Sequence, residues 1–344
     1  MEYAALNTKI HAMHSRFLSY EDFEKLSGTK SVIEAGRHIK QLPGYAGVMR
    51  NLEGERLKRA RIERSLNLSL FDDYMRLHKF VTGYKFCKFL EAFFMDNEIN
   101  LIKIILGLVL GERTEDFSQE ELLNEKVSAY MPNLSKLINS KTISGFMENL
   151  SGTSYYKPLM RIYNRDATIF QLEMQLDLFY YMNLWDKRKL FTGSERRAIE
   201  HIIGTQIDLR NIMWVYRFKR YYSFTPESVY AFLIPINYRL KAQDLVNLVS
   251  QKDLENQNVL NKVLISRYKN IFNEATSLES GYYQKMESVY SKTFNATGSG
   301  AVFAMHYLFL KKLEIDNITN IIESVRYGLS PQECMKHIYY PEKR

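Results

Sequence analysis

Leu329-Ser330-Pro331-Gln332-Glu333-Cys334 reads as the start of a helix that is fixed from both sides. Ser330 is a good N-cap, Pro331 occupies the first helical position, where no N–H is needed, and Glu333 completes a capping box. Leu329 and Cys334 stand at the two places of a hydrophobic staple, which sets the angle at which the chain enters the helix. The same reading applies to Phe224-Thr225-Pro226-Glu227-Ser228-Val229, with Thr225 as the cap, Pro226 at the first position and Phe224 with Val229 as the staple. A third copy, Phe117-Ser118-Gln119-Glu120-Glu121-Leu122, keeps the cap at Ser118, the box with Glu121 and the staple, but has no proline. Each copy predicts a helix that begins after a sharp turn.

Upstream of each break lies a second recurring pattern. An aspartate stands three or four residues before an asparagine that opens an apolar helix: Asp96 with Asn100, Asp208 with Asn211, and Asp316 with Asn320. Downstream, each copy closes at a proline: Pro132, Pro235 and Pro341. Two independent anchors at a common period of about 110 residues describe an internal repeat. The expected organisation is all-α, with three similar helical units near 1–133, 134–237 and 238–344. Further helices are expected at Tyr3 to Leu18, from a capped start at Ser19 with Asp22, and at Leu70 to Met95, Ile169 to Trp185, Ala242 to Phe272 and Gly281 to Phe294.

Composition agrees with helices. The 344 residues exceed the usual span of one hydrophobic core. Only 7 prolines and 16 glycines interrupt a chain that is 46% apolar, and strand-like alternation of useful length is absent. The balance of 47 Lys+Arg over 39 Asp+Glu gives +8, which suits an acidic partner, whether nucleic acid, anionic lipid or an acidic protein. Cys87 and Cys334 are the only cysteines and show no metal or redox spacing, as expected of a reducing cytoplasm. The most apolar run, Ile104 to Leu110, is far shorter than the ~20 residues a bilayer span requires.

Patterns that would carry chemistry do not assemble. His11 and His14 lie one turn apart, yet a metal site needs a third ligand, and no Cys/His spacing supplies one. Gly298-Ser299-Gly300 lacks the ending of a phosphate-binding loop, and no nucleophile elbow is present. No cofactor, metal or catalytic residue is therefore expected. Two stretches are basic: Arg56 to Arg64, and the aromatic-basic run Tyr216-Arg217-Phe218-Lys219-Arg220-Tyr221-Tyr222. Such runs suit nucleic acid, a solvated helix face or an acidic protein surface, and no known nucleic-acid signature accompanies them.

The opening, Tyr3-Ala4-Ala5-Leu6-Asn7 through Met13 and Arg16 to Leu18, resembles the first helix of the C subunit of V/A-type ATPases, called d in eukaryotes. That family also shows an acid-x-Asp-x-x-Asn helix followed by a Leu-Ser-Pro-Glu type break. Gln206-Ile207-Asp208 to Asn211 and Leu329 to Glu333 resemble these, with Gln206 standing where an acid is usual. The resemblance covers essentially the whole chain. It implies a funnel of three helical domains, one copy per complex, on the cytoplasmic face of the membrane rotor ring, receiving the foot of the central shaft. It further implies a coupling element without an active site, and no nucleic acid as partner. Arg217, Lys219 and Arg220 are candidates for a contact face. A helical scaffold outside any rotary machine and a nucleic-acid-binding module are the rival readings.

Overall fold

The computed structural model describes residues 3–109, 125–131, 133–163, 167–222, 224–251, 268 and 278–341. Helix makes up 75% of it, and no strand occurs among the described residues. The short early helices are placed by their caps. After α1 (Ala4–His14), helix α2 (Tyr20–Ser27) starts from a complete capping box between Ser19 and Asp22, and Ser31 caps α3 (Val32–Gln41). The helix expected over Leu70 to Met95 is two helices, α4 (Arg59–His78) and α5 (Tyr84–Val109). The break falls at Gly83, whose φ of +89° is a conformation that side-chain-bearing residues rarely adopt.

Next come α6 (Glu125–Tyr130), α7 (Leu134–Ile138), α8 (Ile143–Asn149), α9 (Tyr156–Met160), α10 (Ile169–Lys187) and α11 (Gly193–Arg217). A π-helical turn, Phe218–Tyr222, extends α11 before α12 (Pro226–Phe232) and α13 (Ala242–Ser250). The helix expected from Ala242 thus ends at Ser250, and most of its expected remainder lies outside the described residues. The chain closes with α14 (Leu278–Thr297), α15 (Gly300–Arg326) and α16 (Pro331–Lys336).

By packing, the chain divides into two units: Met1–Leu90 with Trp185–Arg344, and Glu91–Leu184. This grouping follows contact rather than sequence repetition, and its boundaries differ from the spans the repeat suggests. In the first unit α15 is the central element, buried on nearly every side, and α1, α2, α3, α4, α14 and α16 pack against it. A helix apolar on all faces belongs inside a core. In the second unit α5 and α10 are tied by Lys103 to Asp177 at 2.5 Å, and α6, α7, α8 and α9 pack in succession.

Candidate functional site

The asparagine markers are structural. Asn211 is buried, and its side chain forms a two-sided clamp: the amide donates to the Ile234 carbonyl at 3.1 Å, while its oxygen accepts the Ile234 N–H at 2.9 Å. The segment between α12 and α13 is thereby stitched to the middle of α11. In α15 the same two-sided clamp is made by Asn317, which donates to the Tyr339 carbonyl at 2.7 Å and accepts the Tyr339 N–H at 3.1 Å. The counterpart of Asn211 is therefore Asn317, three residues before the expected marker Asn320. Asn320 is exposed and donates only to the His337 carbonyl. A three-residue shift stays close to one helical turn, so both asparagines reach the same returning segment. Asn100 is exposed on α5, and the break at Ser118 lies outside the described residues.

Three residues before each clamp asparagine stands a buried carboxylate. Asp208 accepts from the backbone N–H groups of Arg239 (2.8 Å) and Leu240 (3.2 Å) and from the Tyr268 hydroxyl (2.7 Å). Burial raises its pKa above the ordinary aspartate value, opposed by these hydrogen bonds. Gly204, one turn earlier, lets the Tyr238 ring lie directly on α11, where any Cβ would collide with that ring. The following residues thus arrive beside Asp208. Glu314 accepts from the Leu18 N–H (2.6 Å), the Tyr45 hydroxyl (2.5 Å) and the Lys311 ammonium (2.9 Å). Lys311 and Glu314 are 2% and 5% exposed, and the ammonium also lies 3.8 Å from the centre of the Tyr45 ring. In the second packing unit Glu98 accepts from the Tyr155 hydroxyl at 2.5 Å, and burial raises its pKa too.

The segments that answer these carboxylates also recur. Leu18 precedes α2 and Leu240 precedes α13, and each helix has an aspartate at its third position bonded back to the cap residue's N–H. Leu26-Ser27-Gly28-Thr29 across the end of α2 and Leu150-Ser151-Gly152-Thr153 just after α8 are identical, and each threonine hydroxyl donates to its leucine carbonyl at 2.7 Å. The sequence carries this signal, but away from the breaks that follow the asparagines, so the repeat anchored on those breaks misses it.

Of the expected caps, Thr225 and Ser330 lie within the described residues. Thr225 accepts the Ser228 N–H with Pro226 behind it, and Ser330 with Glu333 forms a complete box after which Pro331 begins α16. The cationic candidates separate. Lys219 is spent internally: its ammonium donates to the carbonyls of Val249 and Gln251 at the end of α13, where a cation also answers the helix dipole, and burial lowers its pKa. Arg217 pairs with Glu279 at 2.6 Å. Arg220 donates to the Tyr216 hydroxyl and lies over the Tyr221 ring at 5.4 Å.

A cavity of about 160 Å³ is lined by residues including His14, Phe303 and His306. Burial and then His14 depress His306 to about 4, and burial lowers His14 as well, so both rings are largely neutral near pH 7. Among the described residues no three His, Cys, Asp or Glu side chains are grouped so as to hold a metal, and no helix is long and apolar enough to cross a membrane.

Residues 6–337 match the family described as ATP synthase (C/AC39) subunit. Among curated relatives, the C subunit of the A-type ATP synthase of Archaeoglobus fulgidus is 26% identical over 357 residues, covering 98% of this chain and 95% of that protein. The corresponding C subunits of Methanosphaera stadtmanae and Pyrococcus abyssi are each 23% identical, covering 96% and 98% of this chain and 78% and 90% of those proteins. A match that runs nearly end to end, on a chain whose described part is helical and free of strands, identifies it: the protein belongs to the ATP synthase (C/AC39) subunit family, the C subunits of V/A-type rotary ATPases.

Proposed function

We propose that the chain is the non-catalytic coupling element of its rotary ATPase: a socket that joins the central shaft to the membrane rotor ring and transmits torque for ion transport. The observation that carries this reading is the family match across residues 6–337, in which the relatives bear the name of one subunit of the A-type ATP synthase. Several features support it. Torque transmission calls for stiffness, and the long helices are cross-stitched by buried two-sided clamps at Asn211 and Asn317. A threefold repeat, with markers near Asn100, Asn211 and Asn317, gives a funnel-like socket quasi-symmetric walls around a rotation axis. Attachment to the membrane is peripheral, through the ring, in single copy and on the cytoplasmic side. Arg217 and Arg220 belong to the face presented to a partner, whereas Lys219 holds α13 in place.

The test is removal and restoration in the assembled enzyme. Without the subunit, ATP hydrolysis by the catalytic head persists but no longer drives ion movement, and adding the full chain restores the link. The isolated chain neither binds nor hydrolyses ATP. Coupled pumping by enzyme that lacks the subunit would sink the reading, as would hydrolysis by the chain purified free of head subunits.

A further inference from the structure

Counting from the two clamp asparagines brings two exposed side-chain pairs into register. Nine and ten residues after Asn211 stand Arg220 and Tyr221; nine and ten after Asn317 stand Arg326 and Tyr327. Both tyrosines are largely exposed, 66% and 69%, whereas Tyr307 on α15 is a core residue. In each pair the guanidinium lies over the ring, at 5.4 Å for Arg220 and 5.0 Å for Arg326. The local backbones differ, since Arg220 lies in the π-helical turn and Arg326 in the last turn of α15. The same pair thus survives in two different backbone settings, which packing within either helix does not require. Counting likewise from Asn100, the corresponding positions are Val109 and Leu110.

We infer that Arg220–Tyr221 and Arg326–Tyr327 are two equivalent docking points for one kind of occupant, a carboxylate-bearing protein segment of the rotary complex, and that the first repeat offers no third. This rests on the coupling function proposed above and names the chemistry of its contacts. The exposed guanidinium at each point favours an acidic occupant. Beside Arg326, Glu323 is shared with a second cation, Arg59, at 2.8 Å, and Arg59 also reaches Glu63 at 3.6 Å, so Arg326 does not hold its acid alone. Beside Arg220, Glu279 is engaged by Arg217, while Lys219 is turned inward onto the end of α13. A guanidinium stacked on a ring still receives a carboxylate in its own plane, often through two hydrogen bonds. A protein fits better than a nucleic acid because an exposed apolar side chain follows each pair in the chain: Tyr222 after the first and Leu329 close after the second. Arginine and tyrosine are among the residue types that dominate protein interfaces.

The experiment uses the full chain assembled with the remaining subunits and follows its release as salt is raised. Arg220→Glu with Tyr221→Ser, and Arg326→Glu with Tyr327→Ser, are each expected to speed dissociation by about tenfold, with the combination roughly multiplicative. Arg37→Glu, at an exposed arginine elsewhere, should leave release unchanged. Thermal unfolding of the variants guards against misfolding, and Arg220→Gln with Arg326→Gln gives a milder version that should still accelerate release severalfold. If the combined variant stays bound like the wild type, the docking points are wrong while the coupling reading stands. If the wild-type chain recovers no rotary subunit, both fall. If a short oligonucleotide binds the wild type and the combined variant abolishes that binding, the surface serves nucleic acid and the inference is overturned.

Discussion

Helices α11 and α15 solve the same problem with different materials. Each carries an acid and, three residues later, an asparagine, and each uses them to hold a returning segment. On α11 that segment follows in the chain: Asp208 holds Arg239 and Leu240. On α15 the asparagine holds Tyr339, which follows, but Glu314 holds Leu18 and Tyr45, which lie 296 and 269 residues earlier. The N-terminal segment therefore completes the packing around α15, and α2 packs against both α15 and α16. Three consecutive spans cut from the sequence would separate α2 and α3 from α15, against which they pack.

The two helices also end differently. α15 ends with Gly328 at φ +72°, where the Leu329 N–H reaches the Ser324 carbonyl and the Gly328 N–H reaches that of Val325, the double closure typical of a glycine-terminated helix. α11 has no glycine there and widens into the π-helical turn. A π turn accommodates one additional residue within a helix. That residue accounts for the clamp spans, Asn211 to Ile234 being one residue longer than Asn317 to Tyr339.

The sharpest break of the comparison is at the carboxylates. Glu314→Ala leaves Lys311 buried without its counter-charge and orphans the Tyr45 hydroxyl and the Leu18 N–H. The expected loss is roughly 3–5 kcal/mol in chemical denaturation, the usual cost of removing one partner of a buried pair. Asp208→Ala removes a carboxylate whose contacts are two N–H groups and a hydroxyl, and should cost less. Equal losses would mean that Lys311 is not what distinguishes the two sites.

A second contrast is in pH. The depressed His306 contributes stability that is fully present above the unfolded histidine value near 6.5 and is lost as pH falls through about 4. The loss at acid pH should be on the order of 2 kcal/mol. His201 on α11 is lowered by burial, then by Arg239 and Lys285, and is only half-buried, so it should contribute less. Melting curves from pH 7 to 4 should flatten more for His306→Phe than for His201→Phe. The reverse order would remove the distinction.

Register itself can be tested. Asn211→Ala strands a buried N–H and carbonyl at Ile234 and should cost about 1–3 kcal/mol, Asn317→Ala, whose partner Tyr339 is half-buried, should fall toward the lower end of that range, and Asn320→Ala should stay near 0.5 kcal/mol. A large effect at Asn320 would restore the longer spacing. This is where sequence and structure part. The capped breaks were legible because a serine, a proline and a glutamate at fixed places have local meanings. Asn317 was not, because Asp316 and Asn320 fit the aspartate-first pattern, while Glu314 with Asn317 fits only once any acid is allowed in the first place. Lys219 misled for a related reason: a cation among tyrosines looks exposed until the end of α13 is placed against it.

The smallest expected effect compares the caps. Ser330 makes both halves of a box, accepting the Glu333 N–H while the Glu333 carboxylate accepts from the Ser330 N–H at 2.9 Å and its hydroxyl at 2.7 Å. That hydrogen bonding lowers the Glu333 pKa. At Thr225 the third helical position is Ser228, so the cap accepts one N–H and no carboxylate answers. Ser330→Ala should therefore cost about 1 kcal/mol and Thr225→Ala about half that, both within the range for exposed N-caps. The difference depends on Glu333 being ionised, so it should shrink as pH falls through the lowered pKa of that carboxylate. At neutral pH, Glu333→Gln should keep part of it, since glutamine can also complete the box. Midpoints that coincide for Ser330→Ala and Thr225→Ala across that pH range would show that the proline and the staple, which both breaks share, set the turn without help from the box.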